Sequence, residues 1–195
     1  MLESFEEGKV YEVLLVTRSN ATPVGVVRKG KRLFFKLFGG KSSNDIREHP
    51  YAAVQITNDV ELLVRLALNL SVSIEFEEHG AYRWISGLPG LYGSVEFEEG
   101  SIKDELGESY LMRCSLLPEG SIEGKLPLRP LSRADCLLIE MAVDLTRLLV
   151  AVERNKSEVV KRLRERIENS YTLYKRLGGN SPTAEEIIKL AGTGG

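Results

Sequence analysis

The chain predicts an α+β protein that is mainly β up to about Leu126: a small β-barrel with a C-terminal helical extension. Three observations lead there. Runs rich in β-branched and aromatic residues, separated by short turn signals, fill the N-terminal part. Helices do not alternate regularly with those runs, as a doubly wound sheet would require. From Ser132 onward the hydrophobic period becomes helical.

Val10 to Thr17, Pro23 to Arg28 and Arg32 to Phe38 read as a three-stranded meander, with Lys29-Gly30-Lys31 turning the second strand into the third. Gly39-Gly40-Lys41-Ser42-Ser43 then leads into a short helix, Asn44 to His49. Tyr51 to Thr57 is a further apolar strand, and Asn58-Asp59 supplies an N-cap for a helix over Val60 to Leu68. Ser71 to Glu78 alternates Val72, Ile74 and Phe76 with polar residues, which predicts a half-buried strand. Beyond Tyr82, Gly-Leu-Pro-Gly, Glu-Glu-Gly-Ser and Pro-Glu-Gly-Ser are read as loops around strands at Val95 to Glu98 and Tyr110 to Leu117. Ser132 caps a long helix, Arg133 to Glu153. A second helix, Val159 to Leu177, stops at Gly178-Gly179, a third opens at Ser181-Pro182, and Gly192 to Gly195 is a tail.

At 195 residues and 43% hydrophobic, the chain can bury one full core and a smaller one, so residues 1–130 and 131–195 are expected as two domains. Lys plus Arg (26) and Asp plus Glu (28) nearly cancel to a net charge of −2, which argues against a nucleic-acid partner and makes any anion site local. Met1 to Lys9 lacks the pattern of a signal peptide, and no run reaches the ~18 apolar residues of a membrane span; a cytoplasmic location is expected. Cys114 and Cys136 lie in apolar settings without a CxxC spacing, so both are read as buried structural thiols and no metal site is expected. His49 and His79, the only histidines, fall in polar segments, which leaves no basis for a histidine triad.

The segment Gly39 to Ser43 carries the chemistry. Two glycines allow a tight turn that exposes backbone N–H groups, Lys41 adds charge, Ser42 and Ser43 add donors, and the following helix aims its positive end at an anion. A P-loop would need glycine where Phe35 stands, so ATP and GTP are set aside; a tight turn with a solvated lysine is the plain alternative. Arg18 to Pro23, polar and between the first two strands, is an ordinary turn or a second wall of the same site. On the long helix, Arg133, Glu140, Asp144 and Arg147 share one face, either as a solvated stripe or paired at an interface. Lys161, Arg162, Arg164 and Arg166 alternate with glutamates as on a solvated helix face.

Taken in order, Val16-Thr17-Arg18, Pro23-Val24-Gly25, Lys41-Ser42-Ser43-Asn44-Asp45-Ile46, Val54-Gln55-Ile56-Thr57-Asn58-Asp59, and Arg133-Ala134 with Ile139-Glu140, Val143 and Thr146-Arg147 span most of the chain. In these segments the chain resembles an archaeal family of formerly uncharacterised proteins built on the FMN-binding split barrel and related to flavin reductase-like flavoproteins. The resemblance implies a homodimer with FMN at the subunit interface and the phosphate held by Lys41, Ser42 and Ser43. It implies that Pro23, Val24 and Gly25 run beside the isoalloxazine and ribityl parts and that Asn58 approaches the flavin. Thr17, Arg18, Asn20, Lys36 and Gly40 complete the expected cofactor-binding set. Asp45 departs from the pattern, where asparagine is expected; beside a phosphate its carboxylate would repel, so it is expected to cap the helix or face away. The expected activity is that of an FMN-dependent oxidoreductase, with NADH or NADPH as a candidate donor, although no GxGxxG follows a strand. A non-catalytic FMN-binding or storage protein is the alternative, and a helix-mediated interaction module without cofactor the third.

Overall fold

Six strands close into the barrel that the turn spacing predicts. The computed structural model describes residues 1–126 and 132–193. After a 3-10 turn, Leu2–Ser4, come β1 (Val10–Val16), β2 (Ala21–Lys29) and β3 (Arg32–Leu37), then helix α1 (Lys41–Glu48) and β4 (Tyr51–Gln55). Helix α2 (Val60–Ala67) precedes a two-stranded hairpin, β5 (Phe76–His79) and β6 (Tyr82–Ile85). The long β7 (Gly90–Asp104) and β8 (Gly107–Ile122) follow, then helices α3 (Arg133–Glu153), α4 (Ser157–Arg176) and α5 (Pro182–Thr193). The barrel order is β1-β2-β3-β8-β7-β4, and β4 pairs back with β1 through Leu15 and Val54.

That order has a consequence for α1. Between β3 and β4 lie β2 and β1 on one side of the ring and β8 and β7 on the other, so the two strands α1 connects are diametrically opposed. The helix must therefore cross the end of the barrel, and its Ile46 is fully buried in the barrel core with Leu15, Val26, Leu33, Phe35 and Met112. Each such side chain contributes about 1.5–3 kcal/mol through burial.

The chain divides into two units. The first contains Met1–Asn58, Ser73–Ile102 and residues 108–126; the second contains Asp59–Val72, Lys103–Gly107 and residues 132–193. Helix α2 thus shares its core with the C-terminal helices, where Val60 and Val64 pack with Met141, Leu145, Leu148, Leu163 and Ile187. Asp59 caps α2 by accepting from the Leu62 amide at 3.1 Å, as its position predicts. Ser132 and Asp135 form a reciprocal capping box at the start of α3. Among the described residues no helix is long and apolar enough to cross a membrane.

Several expectations are corrected. Ser71 to Glu78 keeps its alternation of exposure, but the strand ladder begins only at Phe76, because β6 is four residues long and offers no partner further back. Glu-Glu-Gly-Ser and Pro-Glu-Gly-Ser are not loops: Gly100 lies inside β7 and Gly120 inside β8. Gly120 serves packing, since a Cβ there would sit 2.3 Å from the Tyr92 hydroxyl. Cys114 is buried, whereas Cys136 is exposed on α3. Gly192 continues α5 instead of opening a tail; Gly194 and Gly195 lie outside the described residues. Asp144 does not line a solvated stripe, since it is buried and Arg166 of α4 reaches it at 3.1 Å; Arg147, partly exposed, meets Glu105 at 2.7 Å within the same unit. Burial pushes the Asp144 carboxyl above the usual range, and the Arg166 charge works against that rise.

A buried amide helps fasten the β5–β6 hairpin to the barrel. Gln55 Nε2 donates to the Ile85 carbonyl at 2.9 Å and to the Leu88 carbonyl at 2.8 Å, while Gln55 Oε1 accepts from the Ile85 amide at 2.6 Å. Replacing it by an apolar residue orphans the Leu88 carbonyl and the Ile85 amide and leaves the Ile85 carbonyl only its long bond from the Leu88 amide. Gln55→Leu should lower stability by about 2–4 kcal/mol and accelerate amide exchange in residues 76–85 ahead of the barrel strands; chemical denaturation and hydrogen exchange check both.

Candidate functional site

The open end of α1 is built by two residues no side chain could replace. Gly39 has φ 94° and Gly40 φ 81°, conformations that strain any L residue, and together they turn β3 into the helix within two positions. The helix starts at Lys41, three residues earlier than its sequence pattern suggests, so Lys41, Ser42 and Ser43 form its first turn and not the loop before it. Gly40 is the N-cap and has no side chain to cap with. The first helical bond runs from the Asn44 amide to the Gly40 carbonyl at 3.2 Å, which leaves the amides of residues 41–43 without an intrahelical partner at the positive end of the helix.

Ser42 and Ser43 are buried and Lys41 is exposed. Ser42 Oγ accepts from Asn20 Nδ2 at 2.9 Å. Ser43, 1% exposed, has no hydrogen-bond partner for its hydroxyl. A buried hydroxyl in that state costs about 1–3 kcal/mol unless something bonds to it.

Two tethers hold α1 across the barrel. On one side Asp45 accepts from the Thr17 hydroxyl at 2.6 Å, the Ser19 amide at 2.7 Å and the Ser19 hydroxyl at 2.9 Å. Asp45 therefore faces the β1–β2 loop, one of the two outcomes expected of it. Burial alone would raise its carboxyl, but the Thr17 and Ser19 donors and the Arg18 charge outweigh this and hold it below its ordinary value. On the other side Arg47 donates to Glu99 at 2.9 Å and to the Tyr110 hydroxyl at 3.1 Å, and Tyr110 donates to Glu99 at 3.0 Å. The Tyr110 ring lies near Gly39, where a Cβ would come within 3.9 Å of it. Arg18 contacts His49 through its guanidinium, and its carbonyl accepts from Arg83 at 3.0 Å.

Beside this turn runs a groove of about 520 Å³ on the outer face of β2 and β3, lined by Val10, Gly25, Val27, Phe34, Lys36, Phe38 and Arg113 among others. Phe38, 64% exposed, is followed directly by Gly39. Lys36 and Arg113 are cross-strand partners, a like-charge pairing that is unfavourable without an anion or electron-rich group nearby.

Of the predicted residues, Thr17, Asn20, Gly40, Lys41, Ser42 and Ser43 come together at the start of α1, and Gly25 and Lys36 come together in the groove. Val24 points into the barrel core, so it can offer a ligand only its backbone; Pro23 is half-buried opposite Leu14. Arg18 is turned toward His49. Asn58 is half-buried beside the α2 cap, has a partner of its own and does not line the groove. Ser19 lies in the loop offered as a second wall, whereas Arg47, Glu99, Tyr110 and Arg113 escaped the sequence reading. Only the pairing of strands distant in sequence reveals them.

A closed antiparallel barrel of split-barrel type, crossed by a short helix with an open, hydroxyl-lined start, is the class of protein this arrangement defines. The chain belongs to the family described as protein of unknown function DUF447: the family's N-terminal domain matches residues 11–124, and a second DUF447 segment matches residues 132–189. An uncharacterised protein of Methanocaldococcus jannaschii is 24% identical over 191 residues, covering 87% of this chain and 91% of the relative. The crystal structure of an FMN-bound DUF447 protein from Methanosarcina mazei has the same fold, with a TM-score of 0.70, 21% identity and complete coverage of both chains. The expected archaeal family and its split barrel are thus borne out.

Because the folded-state pKa of Asp45 is depressed, its contribution to stability is fully present above the ordinary value of 3.8 and is lost as pH falls through the lower folded value. In Asp45→Asn this acid dependence should flatten, and urea titrations of both proteins across pH 2 to 6 should show the two curves converging at the acid end.

Proposed function

We infer that this protein binds FMN, with the phosphate on Lys41, Ser42 and Ser43 and the ring system along the groove over Gly25 and Lys36. The observation that carries this reading is the buried, partnerless Ser43 hydroxyl beside the three open amides of the first turn. A phosphate is the group that satisfies hydroxyl and amide donors together at a helix start. The groove fits the rest of the molecule. Gly25 leaves a flat floor, where a Cβ would come within 3.2 Å of Val10 Cγ1, and Lys36 and Arg113 offer positive charge to the carbonyl oxygens of the ring. The FMN carried by the Methanosarcina relative supports the same assignment.

Val10, Phe34 and Phe38 are exposed apolar residues around that groove, which supports a homodimer that covers it and the ring. Bound there, the flavin would supply two-electron redox chemistry, while the chain's own residues bind it, orient it and exclude water. The activity proposed is that of a flavin reductase-like oxidoreductase drawing on NADH or NADPH.

Purified protein supplied with FMN should be yellow, absorbing near roughly 450 nm as oxidised flavins do; a preparation that takes up no FMN sinks the reading. Lys41→Ala with Ser42→Ala should weaken FMN by about tenfold or more and leave riboflavin, which lacks the phosphate, nearly unchanged. Anaerobic mixing with NADH or NADPH should bleach the bound flavin rapidly; a colour that persists would mark a flavin carrier instead.

A further inference from the structure

Asn20 and Ser42 form a pair whose hydrogen-bond direction can be read. An amide nitrogen only donates, so at 2.9 Å the Asn20 Nδ2–H fills a lone pair of Ser42 Oγ and leaves the serine's single proton to be given elsewhere. Among the described residues Ser42 has no other hydrogen-bond partner through its side chain. The asparagine is itself held by backbone: its carbonyl accepts from the Thr17 amide at 2.8 Å, while the Thr17 hydroxyl gives its proton to Asp45 at 2.6 Å. Among the described residues Ser42 is the one hydrogen-bond partner of its side chain.

We propose that Asn20 is a positioning residue that makes the first turn of α1 selective for a phosphate, by fixing the Ser42 hydroxyl as a proton donor toward the anion. This rests on the reading of that turn as the phosphate seat. Without Asn20 the hydroxyl rotates, and its proton can satisfy nearby carbonyls; with Asn20 in place it adds one aligned donor to the open amides of residues 41–43. Asn20 need not touch the ligand. Its effect passes through Ser42 alone, and selectivity between a phosphate ester and its neutral parent is the quantity it controls.

The test is a set of fluorescence titrations of the full chain with FMN and with riboflavin, which differ only in the phosphate. Asn20→Ala, which keeps the backbone carbonyl bond to the Thr17 amide, should weaken FMN roughly tenfold and change riboflavin by less than about twofold. Ser42→Ala should do the same, and the double variant should be no worse than either single one. Asn20→Asp should be the most damaging to FMN, because its carboxylate takes the Ser42 proton and adds negative charge. Asn20→Ser, too short to reach Ser42, gives the same selectivity readout if the alanine variant folds poorly. Additive losses in the double variant, or equal losses for both ligands, overturn the role of Asn20. A wild type that fails to distinguish FMN from riboflavin overturns the phosphate seat, and this role with it; a wild type whose discrimination survives Asn20→Ala overturns only the role.

Discussion

Everything at the candidate site follows from the closure of the barrel through β1 and β4. Once β4 pairs with β1, the strands on either side of α1 stand opposite one another in the ring, and the eight-residue helix has no path except across the barrel end. Such a helix is too short to be stable alone. It is held by Ile46 pointing into the core and by Asp45 and Arg47, the residues on either side, reaching to opposite rims. Three consecutive residues thus fix the helix in three directions, and its first turn is left facing outward.

The tethers also explain how an acidic residue can live beside a proposed phosphate seat. Asp45 is saturated by Thr17 and Ser19, so its charge is spent on the β1–β2 loop. That loop in turn presents Asn20 to Ser42. The acid that looks out of place in the sequence is the anchor that brings the second wall of the site into position. On the other rim, the Tyr110 ring lies close to Gly39 while its hydroxyl completes the Arg47–Glu99 contact.

The helical unit is organised by a different constraint. Its core is a stripe of aliphatic residues on α3 matched by α4 and α5, and its buried carboxylate, Asp144, survives because Arg166 is within 3.1 Å. A buried charge left without that partner would be strongly destabilising. Asn155, at φ 55°, closes α3 and lets α4 reverse with the Lys156 amide bonded to the Ala151 carbonyl at 2.9 Å.

The sequence by itself determined what depends on near neighbours. The meander, the caps at Asp59 and Ser132, the long third helix and the anion-ready glycine turn are set by local sterics, by propensity and by residues three or four apart, so they are visible in a linear reading. Only the tertiary structure decided which side chains meet there. Gly100 and Gly120 resemble turns until their partner strands show them to be packing sites, Cys136 looks buried until α3 is placed, and Val24 looks like a ligand contact until the barrel turns it inward. The Asp45 clamp joins residues 26 to 28 positions apart and the Arg47 contacts residues 52 to 63 apart. Bonds of that span arise from ring closure, which no local pattern encodes.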